Sequence, residues 1–236
     1  MFVVVQNHST RVTDADAALM VRAVAHQVRY DVAPAWGSKT ASVVLLPKGA
    51  AVPAGSYAIG LYDNADQADA LGYHSEEADG TVYGKVFASP VLDNGGTVLN
   101  GELSVSAVLS HEVLETFVDP HVQLWASDGG DGLYAYEACD AVEDTAYVVH
   151  VGGKTVSVSN FVLPAYFDAQ APAGTRVDYL AKLSRPFEIS RGGYAVKITL
   201  GKSSKVDQVF GEHFPEWKRA SKEHPLARLA RRAHSS

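Results

Sequence analysis

The chain has 236 residues, 47% apolar and 20% charged, with a formal net charge of −7 and one cysteine, Cys139. This composition excludes a disordered chain, a disulfide-stapled mini-domain and a cysteine-based zinc finger, and no apolar run is long enough to span a membrane. The charge is unevenly divided: residues 1–201 carry 12 Lys/Arg against 23 Asp/Glu, residues 202–236 carry 8 against 4, and between Lys85 and Lys154 there are 11 carboxylates and no Lys or Arg.

In chain order, Phe2–Gln6 is a short apolar run suited to a buried strand. It lacks the basic segment and cleavage site of a signal peptide, which points to a cytoplasmic or virion-associated protein. Thr13 and Asp16 resemble a capping box, and Ala17, Leu19, Met20, Val24, Ala25 and Val28 recur at helical spacing, so a helix is expected over 14–30. Pro34 and Gly37 punctuate its end. Ser42–Leu46 and Tyr57–Tyr62 read as strands, whereas 63–80 reads as polar with a helical turn near Ala65–Ala70. Thr81–Val91 reads as a strand that Pro90 assigns to a sheet edge.

From Ser104 to Val118 the positions Val105, Val108, Leu109, Leu114 and Phe117 mark a second, central helix. Residues 126–135 read as a Gly/Asp loop, and Ala146–Val151 with Thr155–Val158 as a hairpin through Gly152-Gly153. Asn160–Phe167 reads as irregular, and Arg191–Gly193 as a turn before Tyr194–Leu200. The order implies an α+β fold: a mixed sheet with a central helix carrying the site, then an irregular β-rich C-terminal part. The charge break divides it into a metal-binding domain, 1–201, and a basic C-terminal tail, 202–236.

The central helix contains Ser110-His111-Glu112-Val113-Leu114-Glu115. Four residues apart, His111 and Glu115 project from one face and can share an ion. Glu112 stands about 100° round the helix, where its carboxylate can accept a proton from water instead of ligating. More carboxylates follow at Asp119, Glu137 and Asp140. A solvated acidic face is the simpler explanation of such a window; a cation site is the sharper one. Cys139 beside two acids reads as a small buried hydrophobe, not a nucleophile. His8, His26, His74, His150, His213, His224 and His234 have no partner at ligand spacing. Tyr147, Tyr166 and His150 are unranked candidates for donating a hydrogen bond to an oxyanion.

On His111–Asp119 and Glu137–Asp140 the chain resembles the zincin superfamily of metallopeptidases, over about 1–145 in element order. The pattern is similar to the gluzincin arrangement, and also to plant phosphate-induced secreted proteins and to bacterial and phage proteins of zincin-like fold. The phage likeness extends faintly to Val158–Pro164 and the tail. The resemblance implies a Zn²⁺ peptidase acting on peptide or protein substrates. His111 and Glu115 would be first and second ligands, Glu112 the general base and Glu137 the third ligand. Asp140 would orient His111 or itself ligate, with His121 and Asp119 ranked behind. Glu115 stands where the family has a second His, which makes the site harder and more permissive of Mn²⁺ or Ca²⁺. The strand near Tyr83–Ser89 would pair with the substrate backbone. The alternative is an inactive zincin-like structural protein, a virion or assembly component with a stabilising ion. Its basic tail would contact another copy or a virion partner. Nucleic acid and membrane are not expected partners.

Overall fold

A computed structural model describes residues 1–67, 70–201 and 205–219. The first half is a five-stranded mixed sheet. β1 (Phe2–Asn7), β2 (Ser42–Leu45), β3 (Tyr57–Tyr62), β4 (Gly72–Glu76) and β5 (Val82–Phe87) lie in the order β2-β1-β3-β5-β4. The pairs β1–β2, β1–β3 and β3–β5 are parallel, and β4 runs antiparallel to β5 at the edge. Val3, Val4 and Val5 are all fully buried, which explains an unbroken apolar run where a half-exposed strand would alternate.

α1 (Asp14–Gln27) connects β1 to β2 and begins at the expected cap: the Thr13 hydroxyl accepts from the Asp16 N–H at 3.1 Å and donates to its carboxylate at 2.7 Å. The helix does not stop before Pro34. It widens into a π-helical turn, Val28–Val32, and continues as α2 (Ala33–Ala35). The Ala33 N–H reaches back to the Val28 carbonyl, and Pro34, which has no N–H to give, follows directly where the coil changes from π to α. Gly37, at φ +60°, ends it: the Ser38 N–H bonds to the Ala33 carbonyl at 2.9 Å and the Gly37 N–H to Pro34 at 3.2 Å, a Schellman closure.

Two expectations for 63–91 are corrected. The stretch read as polar with a helical turn contains β4, and the strand read as an edge, β5, is interior, between β3 and β4. Pro90 lies in the first turn of α3 (Ala88–Asp93), where the N–H it lacks would have no partner within the helix. With both sides of β5 paired, Tyr83–Phe87 is not an edge; among the described residues β4 is.

α4 (Val105–Val118) is capped by Ser104, whose hydroxyl accepts from the Ala107 N–H at 3.2 Å. It is buried almost all round, packed on β3, β4 and β5 and beside α1. The hairpin β8 (Ala146–Val151) and β9 (Lys154–Ser159) forms as expected, and β9 lies against α1 and α4. Fully buried Gln27 ties these elements together. Its side-chain NH₂ donates to the Ser159 carbonyl at 2.8 Å, and its oxygen accepts from Ser110 Oγ at 2.6 Å; Ser110 Oγ in turn accepts from the Ser159 N–H at 3.0 Å.

The region read as a Gly/Asp loop holds two short strands, β6 (Trp125–Ser127) and β7 (Gly132–Ala135). They join β10 (Tyr194–Thr199) and β11 (Lys205–Phe210) in an antiparallel sheet of order β11-β10-β7-β6. β11 therefore lies within the stretch that the charge break sets apart as a tail, and α5 (Glu216–Arg219) follows buried Phe214. Lys222, Arg228, Arg231 and Arg232, the rest of the basic cluster, lie outside the described residues. The architecture is α+β with a mixed sheet. Among the described residues no helix is long and apolar enough to cross a membrane.

Candidate metal centre

α4 carries the centre of the site. His111, Glu112 and Glu115 are buried on a mostly apolar helix, so their polar atoms must be satisfied within the protein. His111 Nε2 lies 3.1 Å from Glu115 Oε1 and 3.2 Å from Asp140 Oδ1. Both acids approach the same ring nitrogen. Both contacts are ion-pair distances, so Asp140 shares with Glu115 the nitrogen on one side of the ring.

The segment that brings Asp140 in leaves β7 and turns through Glu137–Cys139 into a 3₁₀ turn, Asp140–Val142. Three backbone bonds pin it: Val162 N–H to the Ala138 carbonyl at 2.7 Å, Cys139 N–H to Glu115 Oε1 at 3.2 Å, and Ser190 N–H to the Ala141 carbonyl at 2.9 Å. Glu137 is brought to the same cluster. One donor atom each from His74, Glu115 and Glu137 lie within 4.8 Å of one another, as do donors of His111, Glu115 and Cys139. His111, Glu115, Glu137 and Asp140 thus lie in one neighbourhood, with Glu115 next to each of the two imidazoles.

His74 was expected to have no partner, and here the structure differs. It is buried on β4, with Nδ1 3.7 Å from Glu112 Oε2 and 3.6 Å from Glu115 Oε2, and Nε2 3.3 Å from the Asp119 carbonyl oxygen. The sequence hides it because 37 positions separate it from His111; the usable signal was Asp79-Gly80, a hairpin dipeptide that makes the residues before it a strand. His121 is outside the cluster, half-exposed and 3.1 Å from Glu76. Asp119 closes the turn after α4, its Oδ2 accepting from the Leu124 N–H at 2.9 Å.

The electrostatics follow from burial among acids. Burial alone would push the His111 and His74 imidazoles down, but Glu115 and Asp140 around the first, and Glu112, Glu115 and Glu137 around the second, hold both well above the ordinary histidine value. Burial would likewise raise Glu115, and the two imidazoles reverse it to well below the carboxylate range. Burial pushes the Cys139 thiol well up, in keeping with a neutral, packed side chain.

Of the oxyanion-donor candidates, Tyr147 donates to Asp31 at 2.6 Å and His150 is exposed on β8. Tyr166 is buried in the aromatic cluster with Phe167. Tyr194, not anticipated, shares a small cavity with Glu137, Asp140 and Tyr166, and burial together with Asp140 holds its hydroxyl well above the usual phenol value. A second cavity, of ≈ 20 Å³, is lined by Leu71, Gly72, His111, Glu112, Glu143 and Ser159 among others. That is room for about one water. The chain matches no protein-family model, no curated protein and no solved structure at a significant level.

Proposed function

We propose that the protein is a divalent-metal hydrolase, most simply a Zn²⁺ peptidase of zincin-like fold. The observation that carries the reading is the convergence of Glu115 Oε1 and Asp140 Oδ1 on one nitrogen of His111, at 3.1 and 3.2 Å, next to Glu112 on the same helix. The donor set fits such an ion: one imidazole and several carboxylates, buried, with an excess of negative charge that a divalent cation offsets. Glu112 Oε2 is buried without a hydrogen-bond partner, as expected of an acid held ready for a proton. Its oxygen-rich character suits Mn²⁺ as well as Zn²⁺.

The ion would supply polarisation of the scissile carbonyl and a more acidic water. Glu112 would act as the base that holds a proton from the attacking water and as the acid that returns it to the leaving amine. β4, an edge strand among the described residues and packed against α4, would be the strand along which an extended peptide aligns.

A second reading is favoured by one observation: His111, Glu112, Glu115 and Asp140 are each less than 10% exposed, and the adjoining cavity holds about one water. An ion enclosed in that way stabilises a fold without turning over, as in a virion or assembly component. Metal analysis and peptide hydrolysis by wild type and Glu112→Gln separate the two. Bound metal with hydrolysis lost in Glu112→Gln supports the hydrolase. Bound metal without hydrolysis supports the structural role, and no bound metal at neutral pH removes both.

A further inference from the structure

We infer that the cluster is built for two divalent cations bridged by Glu115, with His74 and Glu137 as ligands of the second ion. This rests on the metal-site reading above and deepens it.

Glu115 faces two ways. Its Oε1 lies 3.1 Å from His111 Nε2, and its Oε2 lies 3.6 Å from His74 Nδ1. The two donor triads, His111/Glu115/Cys139 and His74/Glu115/Glu137, share only Glu115. A carboxylate whose two oxygens face two imidazoles in this way has the placement a bridging ligand between two ions needs.

The spacing around His74 suits an ion better than hydrogen bonds. Separations of 3.6 and 3.7 Å to Glu115 and Glu112 are too long for direct hydrogen bonds. Two donors each about 2.1 Å from one ion at a tetrahedral angle stand about 3.4 Å apart. At the other end of the ring Nε2 lies 3.3 Å from the Asp119 carbonyl oxygen, so a neutral ring that donates there would turn its Nδ1 lone pair toward the carboxylates. Glu112, 4% exposed, adds an independent mark, because its buried Oε2 lacks a hydrogen-bond partner and points to the same place.

Charge gives the same count. With both imidazoles neutral, Glu112, Glu115, Glu137 and Asp140 leave four negative charges in a largely buried volume. One divalent ion offsets half of them, and two offset all. Between two ions, Glu112 would face a water shared by both.

The test is metal stoichiometry on the full chain, stripped with chelator, reloaded with Mn²⁺ and desalted. Elemental analysis should give two ions per chain, and electron paramagnetic resonance the multiline signal of a coupled pair. His74→Ala and His111→Ala should each hold one ion with no coupled signal. His74→Gln, which keeps a donor for the Asp119 carbonyl, guards against misfolding and should also hold one. One ion in the wild type, or two ions retained in both His74 variants, overturns the inference while leaving a single-metal hydrolase intact. No ion in any form overturns both readings.

Discussion

Gly72 and Glu112 face each other across the seam between the edge strand and the long helix. A Cβ placed on Gly72 would lie 2.7 Å from Glu112 Oε1 and 2.9 Å from Val108 Cγ1. The glycine is what lets β4 and α4 approach closely enough for His74 to reach Glu112 and Glu115. Gly72→Ala should cost about 1–3 kcal/mol in urea unfolding, as overpacking does. It should also lower hydrolysis, because Glu112 must shift. Unchanged stability and activity would show that the seam is loose.

The proposed metal binding would be linked to pH through the two imidazoles. Both hold protons more tightly in the folded chain than in the unfolded one. In ion-free protein their contribution to stability is present below the unfolded value, about 6.5, and is lost as pH rises through the raised folded values. A metal ion needs neutral imidazole, so those same protons oppose it. The rise in melting temperature on adding Zn²⁺ should therefore grow as pH is raised above about 6.5. A rise that is flat or shrinks over that range contradicts the assignment.

Asp63 anchors the turn after β1. Burial would raise its carboxyl, but hydrogen bonds from Ser9, Thr10 and Arg11 hold it down at about 2. Because the folded value lies below the unfolded one, the stabilisation is present above about pH 4 and lost as pH falls through about 2. Asp63→Ala should cost about 1 kcal/mol at neutral pH, a figure reduced for solvent screening. Melting curves of variant and wild type should converge toward pH 2.

Gln27 joins α1 to α4 and β9 from a fully buried position. Gln27→Leu keeps the volume but leaves the Ser159 carbonyl and the Ser110 hydroxyl short of a partner. The loss should be about 2–4 kcal/mol by denaturant unfolding. Since Ser110 precedes His111, metal affinity measured by calorimetry should fall as well.

The parts that announce themselves in sequence are those whose local pattern and tertiary role coincide. Val3–Val5 are apolar because both faces of β1 are covered, and His111, Glu112 and Glu115 are legible because helical spacing alone puts them together. Gly72-Tyr73-His74-Ser75-Glu76 has no apolar alternation and no β-branched residue; it is a strand because β5 pairs with it. His74 was hidden with it. The short strands β6 and β7 were masked by the turn residues of Asp128–Asp131 between them. Asp140 follows Glu137 in sequence, but only the third dimension shows that it lies against the same nitrogen of His111 as Glu115.

The π-helical turn at Val28–Val32 makes the first helix sensitive to length rather than to composition. One surplus residue in the coil offsets everything beyond it by about 100° relative to a regular helix. Gln27, just before the slip, addresses Ser159 and Ser110, while Asp31, inside it, takes hydroxyls from Tyr147 at 2.6 Å and Tyr179 at 3.0 Å. Trp36, beyond it, meets Tyr136 edge-on with ring centres 5.8 Å apart, joining the N-terminal core to the C-terminal aromatic cluster. Side chains along this turn can vary within the limits of packing. Losing a single residue there would restore an ordinary helix and swing Trp36 out of phase, parting the two halves of the molecule at the joint between them.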